Sequence, residues 1–557
     1  MSKAIFGAVS AVLLVAAVIG VVATVVSSNH KTDASEGDGS LTTTSKSVSA
    51  FCAKTDYQAD CERTIGSAIN GSSSPKEVIQ ASFQAAIDEI QAAFHLSNNV
   101  SLKANDPMNK AAFNICRQLL EDADEELNAA FSETHDLQGL ARRTDDIKTW
   151  LSAVISYQQT CLDGITEPEL QSTMKDGLST ATKVTSNAIA IVDELSSLLK
   201  SFKIPINITM GSRRLLVDEQ GYPSWFSGHD RKLLAAQARG QLTPNVVVAK
   251  DGSGKFKTIN DAVNAMPKDY SGRYVIYVKA GVYKENVIVG KDKVNVLMYG
   301  DGSRKTVVTG SKNYVDGVQT VDTATFAALG QGFIAKSMGF SNTAGAEKHQ
   351  AVALRVQSDM SAFFNCRMDA YQDTLYVQAH RQFYRNCVVS GTIDFIFGDS
   401  STILQNCLLV MRRPMDNQQN ILTAHGRSQA KETTALVIQN CRIVPDKSLF
   451  PERLKFRNYL GRPWKAYSRT IVMESTIGDL IQPEGWMPWD GENFLDTLYY
   501  AEYNNRGPGA GTSGRVNWPG YHVIGRTEAQ KYTVESLIQG SKWIKFSNIR
   551  YFGGLKF

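Results

Sequence analysis

Hydrophobic positions change period along the chain. Residues 4–26 are almost wholly Ala, Val, Leu, Ile and Gly and carry no charge. About 23 such residues can span a bilayer or act as a secretory signal. They predict export, either through a signal peptide over residues 1–28 or through transient membrane anchoring by residues 4–26. Residues 29–50 are polar, rich in Ser and Thr, and read as a linker. From residue 51 to about 200 apolar residues recur at steps of three and four, as in Val78-Ile-Gln-Ala-Ser-Phe-Gln-Ala-Ala-Ile-Asp-Glu-Ile90. That period predicts amphipathic helices in an all-α, four-helix-bundle-like domain over residues 51–200. Residues 201–242 form a Gly/Pro/Ser-containing linker. After Asn245 short Val/Ile/Tyr/Phe runs such as Tyr274-Val-Ile-Tyr-Val278, punctuated by Gly, Asn and Asp, predict strands.

The strand-rich part repeats. An apolar residue, a variable residue, Asn, then Cys or Thr recurs at Asn342, Asn365, Asn386, Asn406 and Asn440. Periods near 20 without intervening helices predict an all-β, right-handed parallel β-helix over residues 243–557, one coil per repeat. The rival, an antiparallel sandwich, gives no reason for a registered column of asparagines. Asparagines turned inward would bond the coils above and below. Cysteines on adjacent coils would lie about 4.8 Å apart, near disulfide reach. Cys387 with Cys407 is an expected bridge, and Cys366 with Cys387 is geometrically similar.

Charge and cysteine usage sharpen this picture. The chain of 557 residues is 43% hydrophobic and 20% charged, as soluble globular proteins are. Before Ala235 there are 20 Lys+Arg against 28 Asp+Glu, and from Ala235 onward 39 against 27. An acidic half and a basic half predict two bodies that attract each other. The basic half would also concentrate near a polyanion, and the secretory start makes that an acidic polysaccharide, not nucleic acid. Eight cysteines in an exported chain favour disulfides over metal ligation. Cys52 with Cys61 would clip a helical hairpin, and Cys116 with Cys161 would tie neighbouring helices. Asn70, Asn99 and Asn207 head glycosylation sequons. Between the halves, Arg213-Arg-Leu-Leu216 and Arg231-Lys-Leu-Leu234 read as protease sites, cut after Arg213-Arg214 or Arg231-Lys232 to release a pro-region.

Repeat phase also points to a site. Gln350, Asp373 and Asp394 each lie eight residues after a ladder asparagine, and Gln372 is one step earlier. Two amides and two carboxyls should therefore meet on neighbouring coils. Asp394 lies among Ile393, Phe395, Ile396 and Phe397, where a charge needs a cation or a catalytic reason to remain. Leu460-Gly-Arg462-Pro-Trp464 offers that cation and a ring for stacking on sugar.

The motifs Gly281-Val-Tyr283-Lys-Glu285, Gln350-Ala-Val-Ala353, Tyr371-Gln-Asp-Thr-Leu375, Gly391-Thr-Ile-Asp-Phe-Ile-Phe-Gly398 and Leu460-Gly-Arg-Pro-Trp464 stand in one order. Over residues 243–557 the chain resembles the plant pectin methylesterases, and the four-cysteine helical segment is similar to that family's inhibitor-like pro-region. The resemblance implies hydrolysis of galacturonate methyl esters in pectin (homogalacturonan) in the cell wall, without cofactor or metal. It implies Asp394 as nucleophile, Asp373 as proton donor and then base, and Gln350 and Gln372 as stabilisers of the transition state. Thr320, Gln350, Arg462 and Trp464 would hold the sugars. The implied partners are pectin, the chain's own pro-domain, separate inhibitor proteins and a processing protease. One departure is His425, where the family pattern leads one to expect Gln. It is expected to tune pH response or contacts along the sugar groove.

Overall fold

The computed structural model describes residues 44–69, 74–201 and 243–557. The signal stretch, the dibasic sites, Asn70 and Asn207 lie outside the described residues. Asn99 is exposed on a helix. Among the described residues no helix is long and apolar enough to cross a membrane.

The helices begin where the sequence places caps. Ser74 Oγ accepts from the Glu77 N–H at 3.3 Å while Glu77 Oε2 accepts from the Ser74 N–H at 2.7 Å. Pro75 follows at a position whose missing N–H costs nothing. This starts α1, Pro75–Ser101. Asp106 caps α2, Pro107–Glu133, by accepting from the Asn109 N–H at 2.9 Å. The remaining long helices are α3, Thr144–Gly164, and α4, Pro168–Asp193. Phe83, Ile90, Leu120, Leu127, Val154 and Ile189 fill the core between them. Two short helices, Thr44–Cys52 and Gln58–Ala68, precede the bundle and are joined by the Cys52–Cys61 disulfide, and Cys116–Cys161 ties α2 to α3. The first helix thus starts inside the stretch expected to be linker, because Val48 and Phe51 are buried against the bundle.

The rest is a parallel β-helix. Its main sheets hold eleven, seven and eight strands, and all pairings are parallel among the described strands. Phe363, Tyr384, Leu404, Ile438 and Val472 occupy successive rungs of the eleven-stranded sheet. They form part of an internal core separate from that of the bundle, with the Phe363 and Tyr384 rings stacked 4.8 Å apart.

The asparagine column differs from expectation in two ways. Asn365, Asn386, Asn406 and Asn440 have φ of 54°, 54°, 59° and 53°, a left-handed turn that Asn tolerates. The last three are joined in a line, Asn406 donating to Asn386 at 2.6 Å and Asn440 to Asn406 at 3.1 Å, with Asn365, Asn386 and Asn406 exposed and Asn440 buried. Asn342 is not one of them. The rung beside Asn365 is Ser337, because Lys336 pairs with Phe364, and Asn342 is buried, donating to the Lys312, Thr323 and Val352 carbonyls.

The expected Cys387–Cys407 bridge is absent. Cys366, Cys387, Cys407 and Cys441 are buried thiols. Each sulfur is turned to the main chain: the Cys387 N–H donates to Cys407 Sγ at 3.4 Å, and the Cys387 thiol donates to the Phe363 carbonyl at 3.4 Å. A column that hydrogen-bonds to backbone in this way leaves its sulfurs unjoined.

Helical bundle and β-helix meet through opposite charges, which is how the acidic and basic halves use their imbalance. Arg381, 1% exposed, pairs with Asp359 of its own body at 2.7 Å and with Asp146 of α3 at 2.8 Å. Lys291 reaches Glu125 at 2.6 Å and Asp122 at 3.1 Å. His380 Nε2 stands 3.1 Å from Glu126 Oε1, and Lys465 pairs with Asp163. Between these pairs, Gln319 donates to the Met108 and Gly164 carbonyls, both at 2.9 Å.

Candidate active site

The site lies where the chain enters successive strands of the seven-stranded sheet. Leu354, Leu375 and Ile396 are neighbouring rungs of that sheet. A register of 21 residues therefore sets Asp373, two before Leu375, beside Asp394, two before Ile396. Gln350 bridges to Gln372 on the next coil. The structure brings Gln350, Gln372, Asp373 and Asp394 together on neighbouring coils, but the asparagine from which Gln350 was counted is in another phase. The strand register is what places it.

Both aspartates have left-handed backbone, φ 63° for Asp373 and 48° for Asp394. Non-glycine residues in that region are uncommon and cluster at functional sites. Asp373 is 7% exposed and Asp394 5%. Arg462 grips Asp394 with two hydrogen bonds, Nε to Oδ1 at 2.9 Å and a terminal nitrogen to Oδ2 at 2.6 Å. The face of that guanidinium lies 4.2 Å from the centroid of Trp489. Burial pushes both carboxyls above the usual aspartate range. For Asp373 the neighbouring Asp394 charge pushes the same way, whereas for Asp394 the Arg462 charge and hydrogen bonds oppose burial. The shared proton accordingly belongs on Asp373, and Asp394 is the ionised partner. No hydrogen bond to the side-chain amides of Gln350 or Gln372 is seen among the described residues, and Gln372 Oε1 is buried without a partner. Two amides are therefore uncommitted beside a carboxylate and a carboxylic acid.

Thr320 opens a 3₁₀ turn, Thr320–Thr323, held to the Gln350 coil by the Val352 N–H on Thr323 Oγ1 at 3.1 Å. Trp464 is half-buried with its ring 6.0 Å from that of Phe397. Phe397 in turn stacks on Tyr376 at 4.3 Å. Ala324, Val352, Tyr376, Phe397 and Ala424, flanked by Trp464 and Trp489, make an apolar strip crossing the coils. Sequence reasoning missed Tyr376 and Trp489. Tyr376 directly follows the motif Tyr371-Gln-Asp-Thr-Leu375, three residues past Asp373 and one past the Leu375 rung. Trp489 sits in a long loop, outside the repeat, and no phase could have found it.

His425 is corrected. It is fully buried, and its Nδ1 accepts the Arg469 N–H at 2.9 Å. It therefore contacts no sugar. Burial, with Arg427 and Arg469 nearby, holds its pKa well below the usual histidine range, so it stays neutral and does not titrate the site.

A pectinesterase family model matches residues 245–541, and a plant invertase/pectin methylesterase inhibitor model matches residues 46–191. The chain is 43% identical over 553 residues to the putative pectinesterase/pectinesterase inhibitor 28 of Arabidopsis thaliana, covering 98% of this chain and 74% of that one. It is 41% identical to pectinesterase 3 of Citrus sinensis, covering 91% of this chain and 88% of that one. Among solved structures, the pectin methylesterase from carrot is 54% identical with a TM-score of 0.56, over 56% of this chain and 99% of that one. The β-helical body thus corresponds to a relative that stands as a chain by itself.

Proposed function

The chain belongs to the pectinesterase family, whose members are carboxylic ester hydrolases, and from this premise we propose that it hydrolyses galacturonate methyl esters of pectin by an aspartyl mechanism. The observation that carries the proposal is the buried pair Asp373–Asp394 with Arg462 on only one of them. Asp394 attacks the ester carbonyl carbon, and the carbonyl π electrons move onto oxygen. The Gln350 and Gln372 amides donate to that oxyanion, and each such donor is worth roughly 10²–10³ in rate. As the tetrahedral species collapses, Asp373 gives its proton to the departing methoxide, so methanol leaves from a neutral acyl-enzyme. Asp373, now ionised, takes a proton from water as it attacks the acyl carbon. Asp394 departs as carboxylate, and the sugar is left as galacturonic acid, which gives up its proton to solvent. Thr320 and Trp464 would hold the polymer.

The helical body is proposed to act as an inhibitory pro-domain, outside the cell, until the linker is cut at Arg213-Arg214 or Arg231-Lys232. Its contacts support this: the Tyr376 hydroxyl on the apolar strip lies 3.1 Å from Thr160 of α3, and the Ser156 hydroxyl donates to the Gln378 carbonyl at 2.7 Å. Separate inhibitor proteins with the same fold would compete for this face. Methanol release from esterified pectin tests both ideas. The 243–557 body should release methanol and the uncut chain should not. A body that binds pectin without releasing methanol sinks the esterase reading, and an equally active uncut chain sinks the pro-domain reading.

A further inference from the structure

Many cations of the β-helix have carboxylate partners, as Arg381, Lys291, Arg453 and Arg515 do. A group on its first coils has none. Lys250, Lys255, Lys257, Lys279, Arg304 and Lys305 make no ion pair among the described residues, and all but the half-buried Lys279 are exposed. The fold gathers them at one corner. The chain turns from the eleven-stranded to the eight-stranded sheet between Tyr274–Val278 and Gly281–Lys284, and one coil on between Val296–Gly300 and Thr306–Gly310. Lys279 stands in the first turn and Arg304 and Lys305 in the second, and the Gly281 N–H donates to the Lys305 carbonyl at 2.8 Å. Lys250, Lys255 and Lys257 belong to the loop after the first strand, Val246–Val248, which folds over the same corner. There Lys279 Nζ donates to Ser253 Oγ at 2.9 Å and Lys250 Nζ to the Val282 carbonyl at 2.7 Å. The two acids in these segments are tied to loop groups. Asp251 accepts from the Ser253 N–H at 2.9 Å, and Asp301 accepts from the Tyr277 hydroxyl at 2.7 Å and the Ala280 N–H at 2.6 Å. Six cations against two carboxylates leave a positive field over the corner.

The catalytic aspartates occupy a different corner, where the chain passes from the eight-stranded to the seven-stranded sheet. A four-residue strand and two or three rungs separate the two corners, roughly 15–20 Å. Among the described residues, no hydrogen bond or ion pair between bundle and β-helix uses any of the six side chains; those contacts fall on residues such as Lys291, Gln319, Gln378, Arg381 and Lys465. Resting on the pectin reading above, we infer that this corner is a second binding surface for de-esterified galacturonan, apart from the two aspartates and open while the bundle is docked. Lysines suit such a partner, because point charges on flexible stems can follow a line of carboxylates set by the polymer. The uncut chain is thereby held on acidic polymer before its linker is cut, and the free body keeps the same hold.

The test compares wild type with a variant carrying Lys255→Gln, Lys257→Gln, Arg304→Gln and Lys305→Gln. These four side chains make no hydrogen bond among the described residues, so their loss leaves the coil intact. Fully de-esterified galacturonan is titrated by calorimetry into the uncut chain, in which the bundle covers the site. Wild type binds, and raising the salt to about 0.15 M weakens it. The variant binds about twentyfold more weakly, at two- to threefold for each exposed charge, and its salt dependence is shallower. In the 243–557 body, whose counterpart in carrot stands alone, the four substitutions leave kcat/KM on short esterified oligomers unchanged, since these do not reach from the aspartates to the corner. An uncut wild-type chain that does not bind the polymer, or a variant that binds it as wild type does, overturns the inference. A wild-type body that releases no methanol from the esterified oligomers fails the esterase reading instead, whatever the titration gives.

Discussion

Docking of the bundle on the β-helix should consume a proton, and His380 shows where it goes. Its Nδ1 lies 2.6 Å from the Gln357 carbonyl oxygen, so Nδ1 carries hydrogen. Its Nε2 lies 3.1 Å from the Glu126 carboxylate of α2, a charge-pairing distance without good hydrogen-bond alignment. A bare lone pair facing a carboxylate there would be repelled, so the ring is an imidazolium in the docked state. Burial opposes that charge, but Glu126, with Asp359 on the β-helix side, outweighs it and raises the His380 pKa above the usual value. The neighbours Arg381 and Lys291 keep fixed charge, and Tyr157 of α3 meets the ring edge-on at 6.2 Å. Without the bundle, Glu126 is gone and the pKa falls back. A group raised on docking stabilises the complex fully below its undocked pKa, and that stability is lost as pH rises through the docked pKa. One proton gives at most a tenfold weaker Kd per pH unit between those values, about 1.4 kcal/mol. Calorimetry of separately produced 44–201 and 243–557 segments, in buffers of different ionisation enthalpy from pH 5 to pH 8, reads both slope and proton uptake. Glu126→Gln should flatten the slope, since its amide can donate to a neutral Nε2. Zero proton uptake in wild type, or an undiminished slope in Glu126→Gln, would refute the reasoning.

Other expectations are more direct. Asp394→Asn keeps the shape and, through its one amide oxygen, a single Arg462 contact, but cannot attack, so methanol release should fall at least 10³-fold with the fold intact by circular dichroism; activity within tenfold of wild type removes Asp394 as nucleophile. Arg515 and Glu502, each 2% exposed and paired at 2.7 Å, leave a buried charge when one is removed. Arg515→Met should therefore cost about 3–5 kcal/mol in denaturant unfolding, and a loss under 1 kcal/mol would contradict that. Unfolding the 243–557 body in an alkylating agent without reductant should label four cysteines by mass, matching the four thiols. Two labels would restore a bridge.

The period of hydrophobic residues was enough to separate helices from strands, because three-and-four spacing and short β-branched runs bury one face in only one kind of element. The cysteine pairs of the bundle and a coil of about 20 residues were likewise open to local reading. So was Asp394, conspicuous as a charge among apolar neighbours. Register was not. Whether Asn342 or Ser337 stacks on Asn365 depends on which strands pair, and a local motif carries no information about its partner two dozen residues away. The same holds for Trp489 behind Arg462, for the thiols turned onto the main chain, for His425 sunk out of the groove and for Asp163 on Lys465. Each is a contact between segments far apart in sequence, made only when the coils stack and the bundle docks on them.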